Sequence, residues 1–171
     1  MSVDNVWETR FPTPLREAAW QAFWQKGLQT RRWEDWKYTD LSRLLQATEY
    51  AAPSQVASDE LALSAFPDAY VVALENGVVN AALSQLEGLP VGVSLQPLAQ
   101  FIKQHPTRYK QYCAAIDPAH HPMATLNHAF AEQGVVIEVE QDVTVNKPIH
   151  VIYVTSGETQ VNTYHNLVLA Q

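Results

Sequence analysis

At 171 residues, with a formal charge of −7 at pH 7 and one cysteine, the chain is long enough to build a hydrophobic core without a disulfide or a structural metal. The lone Cys113 excludes an internal disulfide and a cysteine-only metal or cluster site within one chain. Residues 1–50 carry seven Lys/Arg against seven Asp/Glu, and residues 51–171 four against eleven, so the second part repels a phosphate backbone and nucleic acid is not an expected partner.

Hydrophobic residues at 47% and charged residues at 17% give the balance of a globular protein. No apolar run approaches the roughly 20 residues that cross a bilayer, so no membrane association is expected. Met1 to Trp7 contain no basic stretch followed by an apolar one, and the chain reads as cytoplasmic.

All five tryptophans, Trp7, Trp20, Trp24, Trp33 and Trp36, fall at the beginning, which marks the N-terminal segment as a unit of its own. Thr13 suits the cap of a helix whose first turn starts at Pro14, and Gly27 suits its end. Between Pro14 and Lys26, Leu15, Ala18, Ala19, Ala22 and Phe23 keep helical spacing while Trp20 and Trp24 form a second stripe, so burial of more than one face is expected. The stretch from Thr30 to Leu41 crowds Trp33, Trp36 and Tyr38 among Arg31, Arg32, Lys37, Glu34, Asp35 and Asp40. It reads as an aromatic clamp pinning an N-terminal arm onto a core. A further helix is expected over Asp40 to Gln46 with Leu41, Leu44 and Leu45 inward, followed by a connection from Ala51 to Ser64.

Tyr70 to Val79 is a strand, an Asn76-Gly77 pair and the start of a second strand, a hairpin of type I′ in which Asn and Gly accept the positive φ. Val91 to Leu95 is a short strand, and Pro97 opens a helix that Pro106 stops. Two more helices are expected over Thr107 to Ala115 and Pro122 to Glu132, the second with Leu126, Ala129 and Phe130 inward and Gly134 at its end. Beyond Gly134 the period becomes two. Val135, Ile137 and Val139 point inward against Val136, Glu138 and Glu140; Val143 and Val145 resume the inward set before strands at Ile149 to Val154 and Tyr164 to Leu169. Valine-rich strands between polar corners open a β-solenoid or a sandwich. The sequence stops at Gln171 soon after an apolar strand, so we expect the N-terminal portion of a longer protein, or a partner that covers that end.

Six histidines are the obvious sites to weigh. His121 and His128 share a helix face, but two turns separate them by about 10 Å, too far to chelate one ion even with His120 or Cys113 nearby. Cys113 could pair with a histidine as nucleophile and base, yet it stands in Cys113-Ala114-Ala115 without a glycine-rich turn, and a small buried cysteine is expected instead. His150 and His165 lie in or beside strands, where satisfaction within the layer is the default. A second reading makes the chain a self-contained small β-sandwich of cupin type binding a small molecule or metal through His150 and His165, although the His-x-His and glutamate pattern of such sites is missing. Nucleotide and hydrolase motifs are likewise missing. The expectation is a non-enzymatic α+β protein with no catalytic, cofactor-binding or metal-ligating residue of its own.

Thr30-Arg31-Arg32 through Glu34-Asp35-Trp36-Lys37-Tyr38-Thr39-Asp40-Leu41 resembles the N-terminal signature of the SufB/SufD family, on its SufD side, with Gln29 where proline is usual. Similar stretches follow in order: His121-Pro122 through Leu126-Asn127 to Phe130 and Gly134-Val135, then Val143 to Lys147-Pro148-Ile149-His150, then Asn166-Leu167. The resemblance implies a subunit of the SUF iron–sulfur cluster assembly scaffold, working through protein–protein contacts with a SufB-like paralogue and a SufC-like ATPase. It implies an N-terminal helical/α+β region with a small β-hairpin over residues 1–133. Residues 134–171 would be the opening strands of a right-handed β-helix, truncated here, with the ATPase contact beyond this chain. The family's cluster-related residues lie later in that β-helix, so no site residue carries over and this portion is expected to bind no cofactor.

Overall fold

The computed structural model describes residues 14–26, 34, 37–38, 66–115, 122–130, 132–155 and 163–171. Among them lie four helices, α1 (Pro14–Lys26), α2 (Leu98–Gln104), α3 (Pro106–Cys113) and α4 (Pro122–Ala129). The described residues also form six strands, β1 (Tyr70–Glu75), β2 (Val78–Val79), β3 (Val93–Pro97), β4 (Val135–Val139), β5 (Ile149–Val154) and β6 (Leu167–Ala170). Content is mixed α and β, as expected. The chain divides into two compact units, one drawn from residues 1–51, 105–131 and 159–161, the other from 52–104, 132–158 and 162–171. Thr13, Gly27, the helix expected over Asp40 to Gln46, the connection from Ala51 to Ser64, and most of Thr30 to Leu41 lie outside the described residues.

In the first unit α1 packs on α4. Its deepest burial follows one stripe, Arg16 and Phe23 with Ala19 and Trp20 between them, the spacing that puts side chains on one helical face. Phe23, Leu126, Ala129 and Phe130 form the core, and the Trp20 ring stacks on Phe23 at 6.0 Å while meeting Phe130 edge-on at 5.8 Å. The second tryptophan stripe is only half inward, because Trp24 remains 49% exposed against the edge of Trp20. Arg16 is buried, and its Nε donates to the Ala129 carbonyl at 2.9 Å. That places a cation on the last carbonyls of α4, where the helix has no internal donors left and carries partial negative charge.

In the second unit two three-stranded sheets pack face to face. The first has the order β2-β1-β5, with β1 antiparallel to β2 and parallel to β5 from Tyr70 opposite Ile149 to Glu75 opposite Val154. The second has the order β3-β4-β6, with β4 antiparallel to β3 and parallel to β6. Val72 and Leu74 of β1 meet Val135 and Ile137 of β4, and Val93, Leu95, Ile149 and Val151 close the margins. Each such side chain contributes about 1.5–3 kcal/mol on full burial.

The hairpin forms as its turn residues predict: Asn76 has φ 45° and Gly77 φ 88°, the left-handed pair of a type I′ turn. Two prolines have a second use beside the one expected. Pro97 is the last residue of β3, opposite Val135, and the expected helix, α2, starts at the next residue, so it stands at the helix opening and also ends an edge strand, where its missing N–H leaves no ladder partner unsatisfied. Pro106, read as a stop, also starts α3 in the first turn, where the missing N–H costs nothing. Val136, assigned to the outward face with Glu138, is fully buried, so β4 is covered on both faces at its beginning.

Candidate functional site

The sequence candidates do not converge on one centre. His120 and His121 lie outside the described residues. His128 falls in the last turn of α4, partly buried, and burial lowers its pKa from the usual imidazole value. The unfolded chain therefore binds this proton more readily than the folded one. Its stabilising share is complete above about pH 6.5 and is lost as pH falls through the depressed folded value. Urea midpoints taken at pH 7.5 and 5.5 should fall further in the native chain than in His128→Gln; equal falls would remove His128 as a cause.

Cys113 and Tyr109 stand one turn apart on α3, both buried. Burial pushes the Cys113 thiol up, against a smaller opposite effect from its hydrogen bond with Tyr109; burial, followed by the nearby thiol, pushes the Tyr109 hydroxyl up too. A nucleophilic cysteine needs the reverse shift. Alkylation of the native chain by iodoacetamide at mild alkaline pH should be at least about tenfold slower than in denaturant; equal rates would place the thiol in an open, activated setting.

His150 lies on β5 and accepts the Phe66 N–H at Nδ1, 3.1 Å away. His165 precedes β6, its N–H donating to the Gln133 carbonyl at 2.9 Å. The two occupy different sheets' margins. Among the described residues no group of three or more His, Cys, Asp or Glu is placed to hold a metal ion.

What sequence reasoning missed is a buried polar cluster around the hairpin turn, where the parallel strands β1 and β5 end. Glu75, Asn76 and Gln133 are at most 1% exposed. Gln133 sits flat on Gly77, so close that a Cβ there would lie 2.3 Å from its Cδ. Its Oε1 accepts the Thr163 N–H at 2.7 Å, and its Nε2 has no partner. Glu75 accepts from Asn80 Nδ2 at 2.8 Å through one oxygen and leaves the other unpartnered. The Asn76 N–H donates to the Val154 carbonyl at 2.9 Å. Asn166 accepts the Val135 N–H at 3.0 Å and donates to the Tyr153 hydroxyl.

Chemically this is a clamp: amides and backbone groups fasten the turn to the strands that follow Gln133, without a nucleophile or a proton-transfer pair. Gln133, in the position of a polar residue after a helix, carried no sequence signal. An open cleft of about 480 Å³ lies elsewhere in this unit, lined by Gly92, Ser94, Glu138, Glu140 and Gln171 among others. Its acidic lining disfavours an anionic ligand.

Comparison with known proteins supplies what the geometry lacks. The pattern defining the SufBD protein N-terminal region matches residues 8–151. An iron–sulfur cluster assembly SufBD family protein of Synechocystis sp. is 26% identical over 132 residues, a stretch that makes up 75% of this chain and 29% of that protein.

Proposed function

The chain belongs to the SufBD N-terminal-region family, and from that membership we propose that it is the N-terminal portion of a SUF scaffold subunit, of SufD type, acting in iron–sulfur cluster assembly. The carrying observation is the family match across residues 8–151, strengthened by a relative whose name states that role. The matched stretch spans less than a third of that relative's length, so the role named for the whole relative enters here as part of the proposal. The SufD assignment rests on the Trp36-Lys37-Tyr38-Thr39 stretch and the order of the motifs after it.

In this reading the subunit works by protein–protein contact with a SufB-like paralogue and a SufC-like ATPase, and it catalyses no step of its own. The cluster is the product of the assembly. Cys113, with its thiol pushed up by burial, is a poor ligand for it. The parallel pairs β1–β5 and β4–β6 are the kind of pairing that a β-helix stacks turn on turn, and β4, β5 and β6 lie within residues 134–171, where the reading places its opening strands. The cupin-type reading has no comparable support: His150 and His165 belong to no metal-binding group among the described residues. Deleting the gene should lower the activity of iron–sulfur enzymes such as aconitase without lowering their abundance, with recovery on re-expression of the full-length protein. Unchanged activity under iron limitation would contradict the proposal.

A further inference from the structure

We propose that His150 and the backbone of Phe66 form a proton-sensitive clasp tying the segment that leads into β1 to the first residues of β5. The Phe66 N–H points at His150 Nδ1 at 3.1 Å, and the two rings lie tilted with centroids 4.6 Å apart. A ring nitrogen accepts a hydrogen bond only while it carries no proton; in the imidazolium both nitrogens are donors. Protonation therefore sets one donor against another and opens the contact. His150 is half-buried and the Phe66 that covers it is itself 65% exposed, so solvent reaches the contact without prior unfolding.

The same segment has two other ties. Lys147 Nζ lies 2.7 Å from the Asp68 carboxylate, and the Tyr70 N–H donates to the Pro148 carbonyl at 2.9 Å. Neither the ammonium–carboxylate pair nor the backbone bond uses an imidazole nitrogen, so neither is lost when a ring nitrogen takes up a proton. Among the described residues, the other ionisable groups of β1 and β5 are engaged elsewhere. The Tyr70 hydroxyl lies between the Gly88 carbonyl and Asn146 Oδ1, Glu75 bonds Asn80 at the far end of β1, and the Tyr153 hydroxyl meets Asn166. Acidification thus removes one of three ties and leaves the strand pairing in place, loosening residues 66–69 without unfolding the sheet.

The test is an NMR titration of the ¹⁵N-labelled 171-residue chain. The Phe66 amide should shift with the midpoint of the His150 ring protons, and its exchange protection factor should fall about fivefold on acidification, the loss of one ordinary hydrogen bond. His150→Asn, whose Oδ1 takes the place of Nδ1 and does not titrate, should hold the Phe66 amide protected at both ends of the range. A Phe66 amide indifferent to the His150 titration, or one that titrates unchanged in His150→Asn, would overturn the clasp.

Discussion

Gly134→Ala is expected to remove about 4 kcal/mol or more from the two-sheet unit, because backbone strain and a collision with main-chain atoms add at one residue. Gly134 has φ 133°, a conformation that side-chain-bearing residues rarely adopt. A Cβ built there would lie 2.1 Å from the His165 carbonyl oxygen and 2.8 Å from its carbon. Those atoms cannot swing aside as a long side chain would. The His165 N–H is held by the Gln133 carbonyl, and the next residue, Asn166, is held by the Val135 N–H. Gly88→Ala is the matched control: φ is 77°, but nothing lies within 4 Å of the added carbon, so strain alone should cost about 1 kcal/mol. Urea denaturation of the two variants separates the contributions. Equal shifts would mean that residues 165–166 do not press on Gly134.

Phe23→Ala should cost the helical unit about 3–5 kcal/mol, the range for deleting a buried aromatic ring. Phe23 is fully buried against Leu126, Ala129 and Phe130, and its ring supports that of Trp20. Leu126, Phe130 and Trp20 around it are large, and Trp20 and Phe130 pack on each other, so the site cannot collapse to fill the space. Trp24→Ala, half exposed on the same helix, should cost clearly less. Thermal unfolding followed through the tryptophan signal distinguishes them, and equal losses would contradict the single buried stripe.

Local chemistry was legible in the sequence wherever a residue type has one dominant use. Pro14 to Lys26 is the helix its apolar spacing predicted, and Asn76-Gly77 makes the turn its φ tolerance predicted. Ile149 to Val154 forms the strand expected. Proline was legible as the boundary of a helix, since α2 runs between Pro97 and Pro106, but its second use at the same residue was not: Pro97 also ends an edge strand and Pro106 also begins α3.

What joins distant segments was not legible. Nothing in the strand at Tyr70 names its parallel partner at Ile149, since parallel register is set by burial on both faces and leaves no local alternation to read. Val136 shows the same effect, buried on a face that its glutamate neighbours mark as outward. Gln133 had no signal because its role depends on Gly77, more than fifty residues earlier. The stretch from Thr30 to Leu41 carried the family resemblance, while its proposed action as a clamp falls outside the described residues except at Glu34, Lys37 and Tyr38. There Tyr38 is 88% exposed, with Lys37 Nζ 5.0 Å from its ring centroid, so this ring is not one of the buried anchors that a clamp would use.

The central claim, that this chain is part of an assembly scaffold acting by contact, is tested most directly by purifying the full-length protein from its own cells through a mild affinity tag and measuring the mass of what comes with it. The account predicts a defined complex containing a SufB-like paralogue and a SufC-like ATPase, and no stable ATPase complex when the 171-residue portion alone carries the tag. A full-length protein recovered free of both, or a 171-residue portion that holds the ATPase by itself, would contradict it.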